Sequence, residues 1–339
     1  MNIFTKISSL LLQIAVSTLY ALSTVSYASP QVSVLPDSLI LKEWKVPWEG
    51  LPRDPHVDNQ QQVWFCGQAG NYIGRFNPTN KEFKQFEVPE GTHPHNLIVD
   101  NQDQIWYAGN RNAHIGRMNP EDGKIHQYAM PEGVNDPHTL VFNREGNIWF
   151  TAQQSNRIGL LNVSTGRVQI ATPQTSNARP YGIKVDQQDR PWVALFGTNK
   201  LAWVDPKTMA VTEVSLPRSK ARPRRLEIDP TGNIWYVDYP EGYIGRYIPR
   251  TKRFKEWKVP YENPRPYGTA LDDKGQLWIA DTGATPNIIF AFDTKTEKFT
   301  SQTTVPSGGN IRYMYFNNKD GSFWFGVDTG YLDQGIPKS

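Results

Sequence analysis

The sequence predicts an all-β fold: a seven-bladed β-propeller of four-stranded blades, with the last blade closed by an N-terminal strand. Three observations carry this. Phrases centred on a tryptophan recur as VWF (Trp64), IWY (Trp106), IWF (Trp149), PWV (Trp192), IWY (Trp235), LWI (Trp278) and FWF (Trp324), at spacings of 42, 43, 43, 43, 43 and 46 residues. Each unit is a run of short β-rich segments broken by Gly, Pro, Asn and Asp without helical periodicity, the pattern of a ring of small sheets. The phrase Lys-Glu-Trp-Lys-Val-Pro is written twice, at 42–47 and at 255–260.

Taken in order, residues 1–28 read as a secretory signal peptide. They carry one cation (Lys6), no acid, an apolar run interrupted by Ser and Thr, and a small-residue site ending Ser26-Tyr27-Ala28. The expectation is a periplasmic or secreted protein whose residues 29–339 form a single propeller domain. The fourth unit shows the blade pattern most clearly: RPYGIKVD for the innermost strand, then RPWVAL, NKLAWVD and, outermost, AVTEVSLP, joined by turns such as DQQD and DPKT. FKEWKVP at 254–260 is then the outermost strand of the fifth unit. The seventh unit, starting at Gly309, runs out soon after its third strand. LKEWKVP at 41–47 supplies the missing fourth, so that no sheet edge stays unpaired between first and last blades.

Composition limits the partners. Removing residues 1–28 takes one cation from 36 and none of the 33 acids, leaving a net charge near +2. Such a balance predicts no nucleic-acid binding, and no second apolar stretch of spanning length predicts membrane insertion. The single cysteine, Cys66, excludes an internal disulfide framework and reads as a small buried side chain. The repeated tryptophans read as packing between blades. His114 and His126 are expected to face solvent, and the chain is expected to act as a monomer.

Ligands of propellers gather where the innermost strands start, so the residues flanking the repeated Pro are the candidates. In units one to three, His56, His95 and His138 follow a Pro, and Asp54 and Asp136 precede one. Together they form a nitrogen and oxygen set suited to a divalent metal; equally, Pro-His is a turn whose imidazole bonds a neighbouring loop. In units four to six, Arg179, Arg222 and Arg265 precede the Pro and Tyr181, Arg224 and Tyr267 follow it. These arginines could grip a carboxylate or phosphate with paired hydrogen bonds, or could be a solvated rim screened by Glu213, Glu227 and Glu241. The mouth is expected to be two-sided, with acids and histidines facing arginines and tyrosines.

The phrases HPHNLIVD, DPHTLVFN, RPYGIKVD, RPYGTALD, WFTAQQSNRIG and GYIGR resemble the streptogramin B lyase (virginiamycin B lyase) family of seven-bladed propellers, over essentially the whole of residues 29–339. The resemblance implies a lyase that opens a cyclic depsipeptide at its ester by elimination, with Mg²⁺ as cofactor, a Pro-His histidine as base and a Glu in the tryptophan strand. Carried over residue by residue, it points to His95 and His138 as catalytic histidines. Where the Glu belongs this chain has Gly67, Gly109, Ala152, Leu195, Asp238, Asp281 and Val327, so Asp238 and Asp281 are the catalytic carboxylates it would imply. The later blades hold Tyr181, Arg224, Tyr267 and Arg312 or Tyr313 where histidine is expected, which predicts little cleavage of streptogramin B itself. The expected partner is therefore a small anionic or ester-containing molecule. A non-catalytic propeller binding an anion or a partner protein is the alternative, and lactone hydrolysis as in gluconolactonase-like propellers a third.

Overall fold

The computed structural model describes residues 35–338, and within them twenty-eight strands form seven four-stranded antiparallel sheets. The signal-peptide expectation for residues 1–28 lies outside the described residues. Six sheets are built from consecutive strands; in the fourth these are Pro180–Val185, Pro191–Leu195, Lys200–Val204 and Val211–Ser215, the segments read from the sequence. The seventh contains only three C-terminal strands, and Leu39–Lys45 completes it by antiparallel pairing with Tyr331–Pro337, Leu39 opposite Pro337 and Lys45 opposite Tyr331. The duplicated phrase is thus a closing strand, with its Trp44 stacked on Trp324 at 5.6 Å.

The core is divided among the blade interfaces. Trp64, Cys66, Ile73 and Phe86 of blade 1 pack against Leu97, Ile105, Tyr107 and Met118 of blade 2. Equivalent clusters occupy every other junction, including that between blades 7 and 1, where Trp324 and Leu332 meet Phe65 and Phe76. Burying apolar area between every pair of neighbours makes ring closure cooperative.

Two side-chain rules explain the repeat. In five blades an Asp six residues before the Trp accepts its indole N–H at 2.8–2.9 Å: Asp58, Asp100, Asp186, Asp229 and Asp272. Its other oxygen closes the intervening turn, as Asp58 does for the amides of Gln60 and Gln62. The Trp is therefore a pinned core residue whose one polar atom is satisfied. The glycine of the recurring Ile-Gly phrase has a steric cause: a Cβ on Gly74, Gly116, Gly159 or Gly245 would come within about 2.2 Å of the ring of Phe65, Tyr107, Phe150 or Tyr236 on the adjacent strand. His114 departs from the sequence expectation. It is buried on a third strand with its Nε2 3.2 Å from the Tyr107 hydroxyl, whereas His126 is exposed as expected.

Candidate functional site

The innermost strands position the site. In six blades the strand begins at a Pro paired with the end of the tryptophan strand, and its register shifts just afterwards. This bulge turns successive side chains inward at different depths. Residues directly after the Pro form the upper ring: Arg53, His95, His138, Tyr181, Arg224 and Tyr267, with Arg312 in blade 7. These residues line a cavity of about 320 Å³.

Blade 1 corrects the sequence reading. Pro52 pairs with Gly67 as Pro94 pairs with Gly109, so the counterpart of His95 is Arg53, not His56. Both Pro52 and Pro94 stand twelve residues before their Trp, as do Pro137, Pro180, Pro223 and Pro266, a spacing that identifies the right proline. His56 sits deeper, on the opposite side of the channel, against Tyr315 at 4.2 Å, and burial lowers its pKa to about 4. Asp54 does not face the mouth either. Its carboxylate accepts from Arg53 Nε at 3.1 Å, Asn96 Nδ2 at 3.0 Å and Arg225 Nη2 at 3.2 Å. Asp136 closes a loop, accepting from the amides of Gln154 and Ser155 and the Ser155 hydroxyl.

The five residues expected to hold a metal are thus dispersed. Among the described residues, no group of three or more His, Cys, Asp or Glu side chains is placed to hold an ion. His95 and His138 do meet, ring centroids 3.7 Å apart, but they share their ring with guanidiniums, and the one carboxylate in the lining, Asp328, is paired with Arg312. The donor set does not fit Mg²⁺, which requires oxygen ligands.

Asp238 and Asp281, expected as catalytic carboxylates, are fully buried, lie outside the cavity lining and brace the loops that feed it. Asp238 Oδ1 accepts the backbone N–H of Arg222 at 2.7 Å, and its Oδ2 lies 2.7 Å from Arg218 Nη1. Asp281 Oδ1 accepts the amides of Arg265 at 2.9 Å and Gly283 at 2.7 Å. The arginines before the Pro divide as well. Arg222 and Arg265 turn to backbone carbonyls, Arg222 to Ala221 at 2.6 Å and Arg265 to Pro240 at 2.8 Å. Arg179 alone of the three lines the cavity, and Arg53 and Arg312 join it from positions the sequence reading had not assigned to ligand binding. Arginines from blades 1, 4, 5 and 7 thus surround a pair of histidines from blades 2 and 3, rather than facing acids across the mouth.

Arg224 is enclosed by aromatic rings, its guanidinium carbon 3.6 Å from the centre of Tyr267, 4.4 Å from Tyr239, 4.7 Å from Phe196 and 5.1 Å from Tyr181. The hydroxyls of Tyr181 and Tyr267 are in direct contact. Burial works against ionising Tyr181, but Arg224, Arg225 and Arg53 outweigh it and lower its pKa to about 8; burial and the partner phenol raise that of Tyr267 to about 12. Of the two phenols, Tyr181 is the one that ionises first. His95 and His138 are held neutral, well below the usual imidazole range, by burial and by the positive charges of Arg53 and Arg225. His95 donates its Nδ1–H to the His138 carbonyl at 3.1 Å.

Beneath the upper ring, Arg225 crosses the channel and closes it. On the far side lies a larger cavity of about 420 Å³, reached by His56, Lys184, Glu227 and Tyr315. Its charges are already paired: Lys184 with Glu227 at 2.9 Å, and Arg225 with Asp54. The upper cavity, where Arg179 and Arg224 have no carboxylate partner among the described residues, is the candidate site.

A family model of the virginiamycin B lyase family matches residues 14–288. Virginiamycin B lyase from Staphylococcus aureus superposes with a TM-score of 0.80 at 20% identity, covering 88% of this chain and 99% of that one. A streptogramin B lyase gives 0.80 at 23% identity, covering 89% and 98%. The WD40 propeller domain of Doa1 gives 0.73 at 11% identity, covering 89% and 97%. At these identities the structural likeness concerns the fold. No curated protein matches the sequence closely enough to count as a relative. With the family model covering most of its length and the ring of seven blades in place, the chain belongs to the virginiamycin B lyase family.

Proposed function

We propose that this chain is a carbon–oxygen lyase that opens an ester by elimination at the arginine-lined mouth, acting after export. Family membership supports lyase chemistry over the non-catalytic alternative. The observation that carries the reading is the Tyr181–Tyr267 contact beside Arg224: a phenol of lowered pKa next to a guanidinium supports it, because an elimination needs a base and a stabilising positive charge. His95 and His138, kept neutral by burial and the surrounding arginines, are weaker bases on the same ring.

In this reading the Tyr181 phenolate takes the proton from the carbon beside a carbonyl. The C–H electron pair forms the double bond, and the pair of the breaking C–O bond departs with the carboxylate. Guanidiniums at the mouth stabilise the enolate charge as it develops. Tyr181 then returns its proton to solvent. The aspartates of the tryptophan strand, being braces, take no step.

Mass spectrometry of cyclic esters incubated with residues 29–339 tests this, with quinupristin, the compound held by a catalytically inactive Staphylococcus aureus virginiamycin B lyase, included. Elimination opens a ring without changing its mass and creates an absorbing conjugated double bond, whereas hydrolysis adds one water. The expected result is isomeric opening of an acidic ester and little opening of quinupristin. Addition of water would replace the elimination reading with lactone hydrolysis.

A further inference from the structure

The arginines of the mouth are incompletely used by the fold. Among the described residues, Arg53 Nη2, Arg179 Nε and Arg224 Nε are buried without a hydrogen-bond partner. Arg53 is only 7% exposed and is fixed by Asp54 and by Gln68 Oε1 at 2.7 Å. Arg179 and Arg224 are held by rings instead, Arg179 lying 5.7 Å from the centre of Phe196. Three side chains with an unpaired donor, from blades 1, 4 and 5, thus line one cavity, and burying such N–H groups unpaired is costly unless a ligand completes them.

The charge balance says how much negative charge is missing. Five guanidiniums stand in or directly beneath the cavity: Arg53, Arg179, Arg224, Arg225 and Arg312. Two carboxylates answer them, Asp54 to Arg53 and Arg225, and Asp328 to Arg312 at 2.6 Å. Positive charge therefore exceeds negative by more than a single carboxylate would answer, at the ring that carries the three side chains with unpaired donors.

We propose that the cavity binds a doubly charged oxyanion, so that the substrate carries two carboxylates or a phosphate, gripped by Arg53, Arg179 and Arg224. The guanidiniums would then occupy the electrostatic role of a cation, which accords with a ring whose donors do not fit one. For its reaction this inference rests on the elimination reading; for its ligand it does not.

Calorimetry on residues 29–339 at constant ionic strength, with inorganic phosphate, succinate and acetate as probes, tests it. Phosphate or succinate should bind saturably and acetate at least about tenfold more weakly. The tighter of phosphate and succinate identifies the headgroup. Arg224→Ala and Arg179→Gln should each weaken binding by about tenfold or more, while Arg222→Ala, which faces backbone carbonyls, should change it less than about twofold. Arg179→Gln leaves the aromatic box intact, so it remains informative if Arg224→Ala fails to fold. Equal binding of all three probes, or equal loss from Arg222→Ala, overturns the site. Binding of the dianion without conversion of any acidic ester would remove the elimination reading and leave the site standing. Conversion of uncharged esters unaffected by Arg179→Gln would do the reverse.

Discussion

Arg225 of blade 5 reaches Asp54 of blade 1 at 3.2 Å, with both side chains almost wholly buried. The same guanidinium donates to Thr139 Oγ1 of blade 3 at 3.3 Å and to the Arg312 carbonyl of blade 7 at 3.2 Å. One side chain therefore braces four blades and separates the two cavities. It also supplies positive charge beneath the upper ring, which keeps His138 neutral and helps to ionise Tyr181.

Removing Asp54 should cost more than removing the pair. Asp54→Ala leaves both Arg225 and Arg53 as uncompensated buried charges, which costs at least about 3–5 kcal/mol, whereas Asp54→Ala with Arg225→Met leaves only Arg53 unanswered and costs less. Thermal melts of both single variants and the double variant check this. A double variant as unstable as Asp54→Ala would mean that the pair is not the brace.

Trp149 is one of two exceptions to the tryptophan rule; Trp324, with Asn318 six residues before it, is the other. Asn143 stands where five other blades have Asp, and the Trp149 indole N–H is buried without a partner. Asn143 Oδ1 already accepts the amides of Asn147 at 2.8 Å and Glu145 at 3.1 Å, so its amide nitrogen, another donor, is left toward the indole. Asn143→Asp should stabilise the protein by about 1 kcal/mol, read as a raised melting temperature. No gain would show that the indole is satisfied otherwise.

The fold was legible because each blade repeats its own turn and core rules, so the tryptophan spacing alone counts the blades. The closing strand was legible because it copies a phrase that occurs at an equivalent outermost position. The site was legible only in part. His95, His138, Tyr181, Arg224 and Tyr267 were found from one position of the repeat, but the LPRDPH segment holds two prolines, and choosing the second exchanged Arg53 for His56. Arg222 and Arg265 repeat Arg179 in sequence but not in direction, since backbone carbonyls of neighbouring loops capture them. Nor could spacing reveal that Asp54 faces Arg225, because 171 residues separate them.

Tyr181 should reveal itself spectroscopically. With its pKa near 8 it should give a tyrosinate absorbance step roughly two pH units before ordinary tyrosines, lost in Tyr181→Phe. Arg224→Lys, which keeps the charge but not the planar stacking, should shift the step upward. A step retained in Tyr181→Phe would assign the early phenol to another residue.

The last prediction concerns the closing strand. Asp333 lies directly opposite Glu43 of that strand and is fully buried, and its Oδ2 accepts the Ser307 hydroxyl at 2.6 Å while its Oδ1 has no partner. Glu43 in turn accepts the Ser307 amide. Burial, with the nearby Glu43 charge adding to it, raises the Asp333 pKa to about 8. In the unfolded chain the group ionises near pH 4, so between about pH 4 and pH 8 only the folded state keeps the proton. Unfolding then releases a proton, and stability falls as pH rises through this window, by roughly 1.4 kcal/mol per unit at most. Asp333→Asn imitates the protonated acid at every pH. Its melting temperature should match that of the wild type near pH 4 and exceed it increasingly toward pH 8. The difference between the two curves isolates this group from the histidines and tyrosines that titrate elsewhere. Parallel curves from pH 4 to pH 9 would show that Asp333 ionises normally and that the strand closes the ring independently of pH.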